Sequence, residues 1–180
     1  KSKNLKLFIT ISNSLKQDYK TLFDTNPTVL HDAADKLDMN IQIREKAKNV
    51  FYVGSLFRGR GLELIEYLAN QNKNLNFHVI GGSGKNLSNL KFWGYLNQKE
   101  IKEKVMEADI LLMPYANTIT TNNNGLDTSK WMSPMKMFEY MSYGLPIISS
   151  DISVLREVLN EKNSILVEPE NKKKWDSALK

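Results

Sequence analysis

Lys136 occupies a position that helix electrostatics alone does not explain. The segment Ser133-Pro134-Met135-Lys136-Met137-Phe138-Glu139 opens like a helix, and Tyr143-Gly144-Leu145-Pro146 closes like one. Ser133 has the side chain of an N-cap and Pro134 suits the first helical position. Gly144 suits the left-handed residue after the last turn, and Pro146 forbids continuation. The spacing therefore predicts a helix over 134–143 with Lys136 in its first turn, where unpaired N–H groups and the macrodipole repel a cation by about 0.3–1 kcal/mol. A bound anion would reconcile the two, because the free amides and the ammonium then share one negative partner. On this segment alone, a solvated lysine on an ordinary amphipathic helix is the simpler reading. Glu139 lies one turn further along, on a neighbouring face.

A second helix start repeats the pattern. Asn49-Val50-Phe51-Tyr52-Val53-Gly54 reads as a short apolar strand, and Ser55-Leu56-Phe57-Arg58-Gly59-Arg60-Gly61 as a glycine-punctuated turn opening a helix over 62–70. The glycines let the backbone approach a ligand closely, and the guanidinium groups of Arg58 and Arg60 match phosphate oxygens in bidentate geometry. One glycine-rich turn is weak evidence. Two cation-bearing helix starts in one domain are stronger.

These starts need a scaffold, and the chain supplies an alternating one. Candidate strands cover 5–11, 28–31, 50–53, 75–80, 90–93, 110–113, 146–149 and 164–167. Candidate helices cover 14–24, 62–70, 98–108, 134–143, 152–159 and 171–179. Alternation of this kind predicts an α/β fold, a Rossmann-like, doubly wound and mostly parallel sheet with helices on both faces. Continuous apolar runs such as Ile110-Leu111-Leu112-Met113 fit burial on both faces. In such sheets ligands bind beyond the carboxyl ends of the strands, which places both cationic starts on one edge. The polar stretch 115–132 is longer than most connections within a domain, and weak order is expected around 118–127.

The 180 residues suffice for one domain with a core, or one domain and part of another. Residues 1–36 read as the tail of a preceding domain with its linker, and residues 37–180 as the ligand-binding domain. The contents of 41% hydrophobic and 25% charged residues match soluble globular proteins, and no apolar run approaches the length of a membrane span. The absence of cysteine excludes disulfides and thiolate metal sites and suits a reducing compartment, so a cytoplasmic location is expected. The net charge of +5 is only modestly basic, and part of it sits in Lys172-Lys173-Lys174, which reads as a solvated helix start. No long basic stripe with interleaved aromatics argues for nucleic acid, whereas peripheral association with anionic lipid at the inner face of a membrane stays open. His78 falls inside a strand and reads as a sheet-face residue, His31 as turn-associated, and Met135, Met137 and Met141 as core.

Taken in order, the blocks Tyr52-Val53-Gly54-Ser55-Leu56 to Arg60-Gly61, Phe77-His78-Val79-Ile80-Gly81-Gly82, Leu90-Lys91-Phe92-Trp93-Gly94-Tyr95, Ala108 to Tyr115, and Ser133 to Pro146 resemble a known group. They resemble the C-terminal, nucleotide-sugar domain of GT-B glycosyltransferases, specifically the large retaining family with an E-x7-E motif, the glycosyl transferases group 1. The resemblance implies that Arg60 and Lys136 stabilise the leaving diphosphate. It implies that Gly54 turns its backbone to the phosphates, and that the first-turn amides from Ser133 to Met135 cradle them. Gly94 and Tyr95 fall where the family wraps the base, and Glu139 where it holds the ribose. Two positions depart from the pattern. Trp131 stands where the first motif glutamate belongs, and Ser55 stands where an arginine is common, with Arg58 as a possible substitute. His31-Asp32-Ala33-Ala34-Asp35 stands at the interdomain connection, with the acceptor half largely missing.

The implied activity is transfer of a sugar, with retention, from a nucleotide-diphosphate sugar to a glycan or lipid-linked acceptor in polysaccharide biosynthesis. No metal or other cofactor is expected, because no carboxylate cluster of the octahedral type is visible. The isolated fragment is expected to be inactive without its N-terminal partner domain. Three alternatives remain from the sequence. A nucleotide-sugar epimerase shares the architecture, a non-catalytic nucleotide-sugar-binding module suits a chain without an acceptor half, and a nicotinamide oxidoreductase is disfavoured because Gly81-Gly82-Ser83-Gly84 fits G-x-G-x-x-G poorly.

Overall fold

The computed structural model describes residues 7–37, 44–122 and 125–180. Two short strands, β1 (Ile9–Thr10) and β2 (Thr28–Val29), pair in parallel and flank helix α1 (Asn13–Phe23). The predicted strand over 5–11 is thus shorter, and its residues 5 and 6 lie outside the described ones. From β3 (Asn49–Val53) onward the chain alternates as expected: α2 (Leu62–Gln71), β4 (Asn76–Ile80), β5 (Leu90–Phe92), α3 (Gln98–Val105), β6 (Ile110–Met113), α4 (Met135–Tyr143), β7 (Ile147–Ser150), β8 (Ile165–Val167) and α5 (Lys172–Ala178). The six strands form one all-parallel sheet in the order β5-β4-β3-β6-β7-β8.

Side-chain alternation sorts the core into two layers. Val50 and Tyr52 of β3 pack with Leu64, Ile65 and Leu68 of α2 and Trp175 of α5. Phe51 and Val53 face the other way, with Val105 of α3 and Met137, Tyr140 and Tyr143 of α4. Both faces of each central strand are covered, which is why these strands read as unbroken apolar runs.

One predicted helix is corrected. Residues 152–159 form only a 3₁₀ turn at Leu155–Glu157, with Val158 N–H donating to Leu155 C=O. Ile152, Val154 and Val158 are β-branched and disfavour a longer helix, and Arg156 is held across the turn by Asp151 and Glu161. In the connection after β6 the described residues make local contacts. Ile119 is fully buried, Thr120 bridges to Asp127, and the Asp127 carboxylate accepts from the N–H groups of Ile119 and Ser129. Residues 123 and 124 lie outside the description. Met135 and Met141 are exposed rather than core, because the α4 face turned to the sheet is that of Met137 and Tyr140.

The strand order reverses between β3 and β6. Consecutive strands grow outward from β3 to β5 on one side, and β6 starts the other half against β3, which makes a crevice at the carboxyl ends of these two strands. Only Val50 with Ile110 and Phe51 with Leu111 are in register. Beyond them the strands part, and the Val53 N–H donates to the Tyr140 hydroxyl at 2.7 Å instead of to a strand.

Candidate functional site

Both cationic helix starts open into this crevice. After β3, Gly54 takes φ +147, a conformation that side-chain-bearing residues rarely adopt, and a Cβ added there would lie 2.8 Å from the Lys136 Nζ. The ammonium is therefore seated directly on the Gly54 backbone. The Tyr52 hydroxyl donates to the Ser55 carbonyl at 2.7 Å and fixes the start of the turn. The turn then presses against the segment after β6, since a Cβ at Gly59 or Gly61 would lie 2.0 Å from the Thr118 carbonyl or 2.1 Å from that of Pro114.

At α4 the sequence expectation needs adjusting. The N-cap is Pro134 (φ −73, ψ 117), not Ser133, and no side chain caps the helix. Met137 N–H donates to the Pro134 carbonyl, so the helix begins one residue later than predicted. Ser133 is left as an inward-facing hydroxyl with no cap to make.

Lys136 is 9% exposed. Its Nζ lies 4.0 Å from the centre of the Tyr52 ring and 5.0 Å from that of Tyr115, cation–π contacts that offset part of its desolvation. Arg60 shares the second ring: its guanidinium is 5.4 Å from the Tyr115 centre, and it donates to the Tyr115 hydroxyl at 3.3 Å. Burial, and then the Arg60 charge, push the Lys136 ammonium well below its usual range, with Glu139 opposing them. Burial raises Tyr115 to about 12 despite Arg60. Both tyrosines are therefore neutral, and neither neutralises the cations.

Among the described residues, four buried side-chain polar atoms lack a hydrogen-bond partner: Arg60 Nε, Ser133 Oγ, Lys136 Nζ and Asn89 Oδ1. The first three belong to residues lining one cavity of about 530 Å³, together with Ile11, Leu15, Tyr115, Thr121, Thr128, Trp131, Met132, Pro134 and Met135. Buried donors without partners are uncommon because each costs about 1–3 kcal/mol. Three such atoms belong to residues around one cavity, and two of them are on cationic side chains.

The other residues singled out in the sequence are distributed around this cavity. Glu139 lines an adjoining one of about 450 Å³ with Asp35, Gln98, Lys102 and Tyr143, and Met135 lines both. Arg58 lines neither. It lines a third cavity with Glu63, Glu170 and Lys172. Gly94 has φ +70 and its carbonyl accepts from Gly81 N–H, while Tyr95 is 81% exposed. Neither lines the cavities holding Lys136 or Glu139. His78 is the sheet-face residue expected, stacked on Phe51 at 4.3 Å and accepting from the Trp93 indole N–H; burial lowers its pKa. His31 takes the Ile11 carbonyl at 2.9 Å.

Sequence reasoning missed the aromatic floor of Tyr52 and Tyr115, and the wall that Ile11 and Leu15 contribute from the N-terminal segment. Tyr115 carried a legible signal, standing just beyond the carboxyl end of an apolar strand. Ile11 and Leu15 carried none, because only tertiary docking brings them there: Ser12 Oγ donates to the Trp131 carbonyl, and Asp18 accepts from the Trp131 indole and Lys130.

Comparison with known proteins agrees with this architecture. The chain is 25% identical over 132 residues to an uncharacterized 41.2 kDa protein in the cps region of Klebsiella pneumoniae, covering 67% of this chain and 32% of that one. It is 32% identical over 81 residues to the amylovoran biosynthesis glycosyltransferase AmsK of Erwinia amylovora, covering 45% and 18%. The chain thus spans less than a third of either relative. A crystal structure of an S. aureus TarM variant, in complex with Fondaparinux, alpha-GlcNAc-glycerol and UDP, superimposes with a TM-score of 0.68 at 18% identity, over 95% of this chain and 35% of that one. At that identity the likeness shows the fold. The family model described as glycosyl transferases group 1 matches residues 47–180, and the chain belongs to that family of glycosyltransferases.

Proposed function

We propose that this chain is the donor half of a metal-independent, retaining glycosyltransferase that draws on a nucleotide-diphosphate sugar in polysaccharide assembly. The carrying observation is the group of three unpartnered donors on Arg60, Lys136 and Ser133 around one cavity. A diphosphate satisfies all three, and the uncapped amides of α4 lie beside it. From there the nucleoside passes over Met135 into the adjoining cavity, where the Glu139 carboxylate accepts from the ribose hydroxyls. The amylovoran and cps associations of the two relatives support a polysaccharide product, and UDP in the TarM complex makes UDP the first donor base to try.

In the transfer, the bond between the anomeric carbon and the phosphate oxygen breaks, and its electron pair leaves with the diphosphate. Arg60 and Lys136 take up that charge, Lys136 from a buried position against the Tyr52 and Tyr115 rings, where such stabilisation is larger than in water. The acceptor oxygen bonds to the anomeric carbon and its proton passes to a departing phosphate oxygen. That oxygen is the available base, since no aspartate or glutamate lines this cavity among the described residues.

The test is a thermal-shift and calorimetric screen of UDP, GDP, ADP and CMP against the chain, with Arg60→Ala and Lys136→Ala beside it. One nucleoside diphosphate is expected to raise the melting temperature in proportion to the logarithm of its saturation. Each substitution is expected to weaken it about tenfold or more. No binding of any diphosphate, or unchanged affinity in both variants, refutes the assignment.

A further inference from the structure

Phosphate recognition accounts for only part of the 530 Å³ cavity. Much of the remaining lining is apolar: Ile11, Leu15, Trp131, Met132, Pro134 and Met135. A carboxylate does stand close by, but it is turned to other work. The Asp18 carboxylate accepts from the Trp131 indole N–H at 2.6 Å and from Lys130 Nζ at 2.8 Å, contacts that hold its pKa below the usual range. Two consequences follow for a ligand. The one polar atom of the Trp131 side chain is already engaged, so Trp131 offers the cavity only its ring. A sugar hydroxyl set against that ring and its apolar neighbours would give up water without gaining a partner.

Resting on the diphosphate reading above, we propose that the glycosyl group taken here is methyl-bearing, with the methyl seated against Trp131. Either a 6-deoxyhexose or an N-acetylhexosamine supplies that chemistry, the first through its C6 methyl and the second through its acetamido group. The protein thus selects the sugar by excluding hydroxyls from an apolar wall, and Trp131 is the residue that sets the choice.

The experiment measures calorimetric affinity for the nucleoside diphosphate that binds, its hexose conjugate, its 6-deoxyhexose conjugate and its N-acetylhexosamine conjugate. At least one methyl-bearing conjugate is expected to bind about tenfold more tightly than the plain hexose, and which one identifies the source of the methyl. In Trp131→Ala this preference, taken as the ratio of each conjugate's affinity to that of the bare diphosphate in the same variant, should vanish; Trp131→Phe should retain it, and its loss in Asp18→Asn, which keeps the ring, would assign it to docking of the N-terminal segment and overturn the role of the ring. A plain hexose conjugate bound as tightly as both methyl-bearing ones overturns the proposal, as does a preference that survives Trp131→Ala. Failure of the bare diphosphate to bind overturns the underlying reading and this one with it, and is seen separately in the first titration.

Discussion

A lysine buried against two tyrosine rings, one residue into a helix and beside an arginine, is an expensive arrangement in the free protein. Lys136 has its pKa depressed by burial and by Arg60, so folding tends to strip its proton. The unfolded chain binds more protons over the interval between the depressed value and the ordinary value near 10.4, and the destabilisation is therefore full below that interval and relieved above it. Lys136→Met is expected to raise the melting temperature of the unliganded protein, by more at pH 6 than at pH 10, while weakening diphosphate binding. A diphosphate reverses the depression by offering the ammonium a counter-charge. Binding should then take up a proton, and affinity should fall as pH rises through the depressed value. Calorimetry in buffers of different ionisation enthalpy measures this directly, and a proton count of zero across that interval contradicts it. Glu139→Gln, in the adjoining cavity, should weaken the nucleoside diphosphate more than inorganic pyrophosphate, because the ribose role proposed for it is separate from the phosphate site.

Among the elements, the glycine-rich turn after β3 is the most constrained. Gly61 has φ +89 and no room for a Cβ against Pro114, so strain and overlap act together. Gly61→Ala is expected to cost about 1–3 kcal/mol in chemical denaturation, whereas Gly94→Ala, with φ +70 but open space around it, should cost less. Equal costs would show that backbone strain alone governs both. These elements also show what the sequence could and could not disclose. The glycines of 54–61, the apolar strands and the Gly144 stop are local signals, and they placed β3, α2, β6 and α4 to within a residue or two. The start of α4 was misplaced because Ser133 and Pro134 each satisfy a capping preference, and only the tertiary course of the chain decides which one caps. Likewise the 152–159 helix followed from apolar spacing, while β-branching and the arginine between two carboxylates decided for a single tight turn. Arg58 and Arg60 are indistinguishable in sequence, and in the structure they line different cavities.

For the whole molecule, the site lies where two half-sheets meet and where the N-terminal segment leans on the result. That third contribution passes through a few polar contacts: Asp18 with Lys130 and Trp131, Ser12 with the Trp131 carbonyl, and the Asn13 and Ser14 N–H groups with Glu157. The exposed Asp18–Lys130 pair contributes about 0–1 kcal/mol, so that part of the docking is adjustable. Asp18→Ala combined with Glu157→Ala is expected to leave the melting temperature of the sheet domain nearly unchanged while increasing amide exchange in α1 and opening the wall made by Ile11 and Leu15. Unaltered exchange in α1 would mean that apolar contacts hold the segment in place.

The brief pairing of β3 with β6 carries a mechanical meaning as well. The β3–β6 ladder is two residue pairs long, and the Tyr140 hydroxyl and flanking bonds such as Asp109 N–H to the Asn49 carbonyl and Ala116 N–H to the Gly59 carbonyl complete the join where the crevice opens. Under tension applied across that seam, in an optical trap with handles at Asn76 and Ser164, the structure should yield there first, at low force and in a discrete step. A ligand lying across the seam would stitch it, so the rupture force itself becomes a gauge of occupancy.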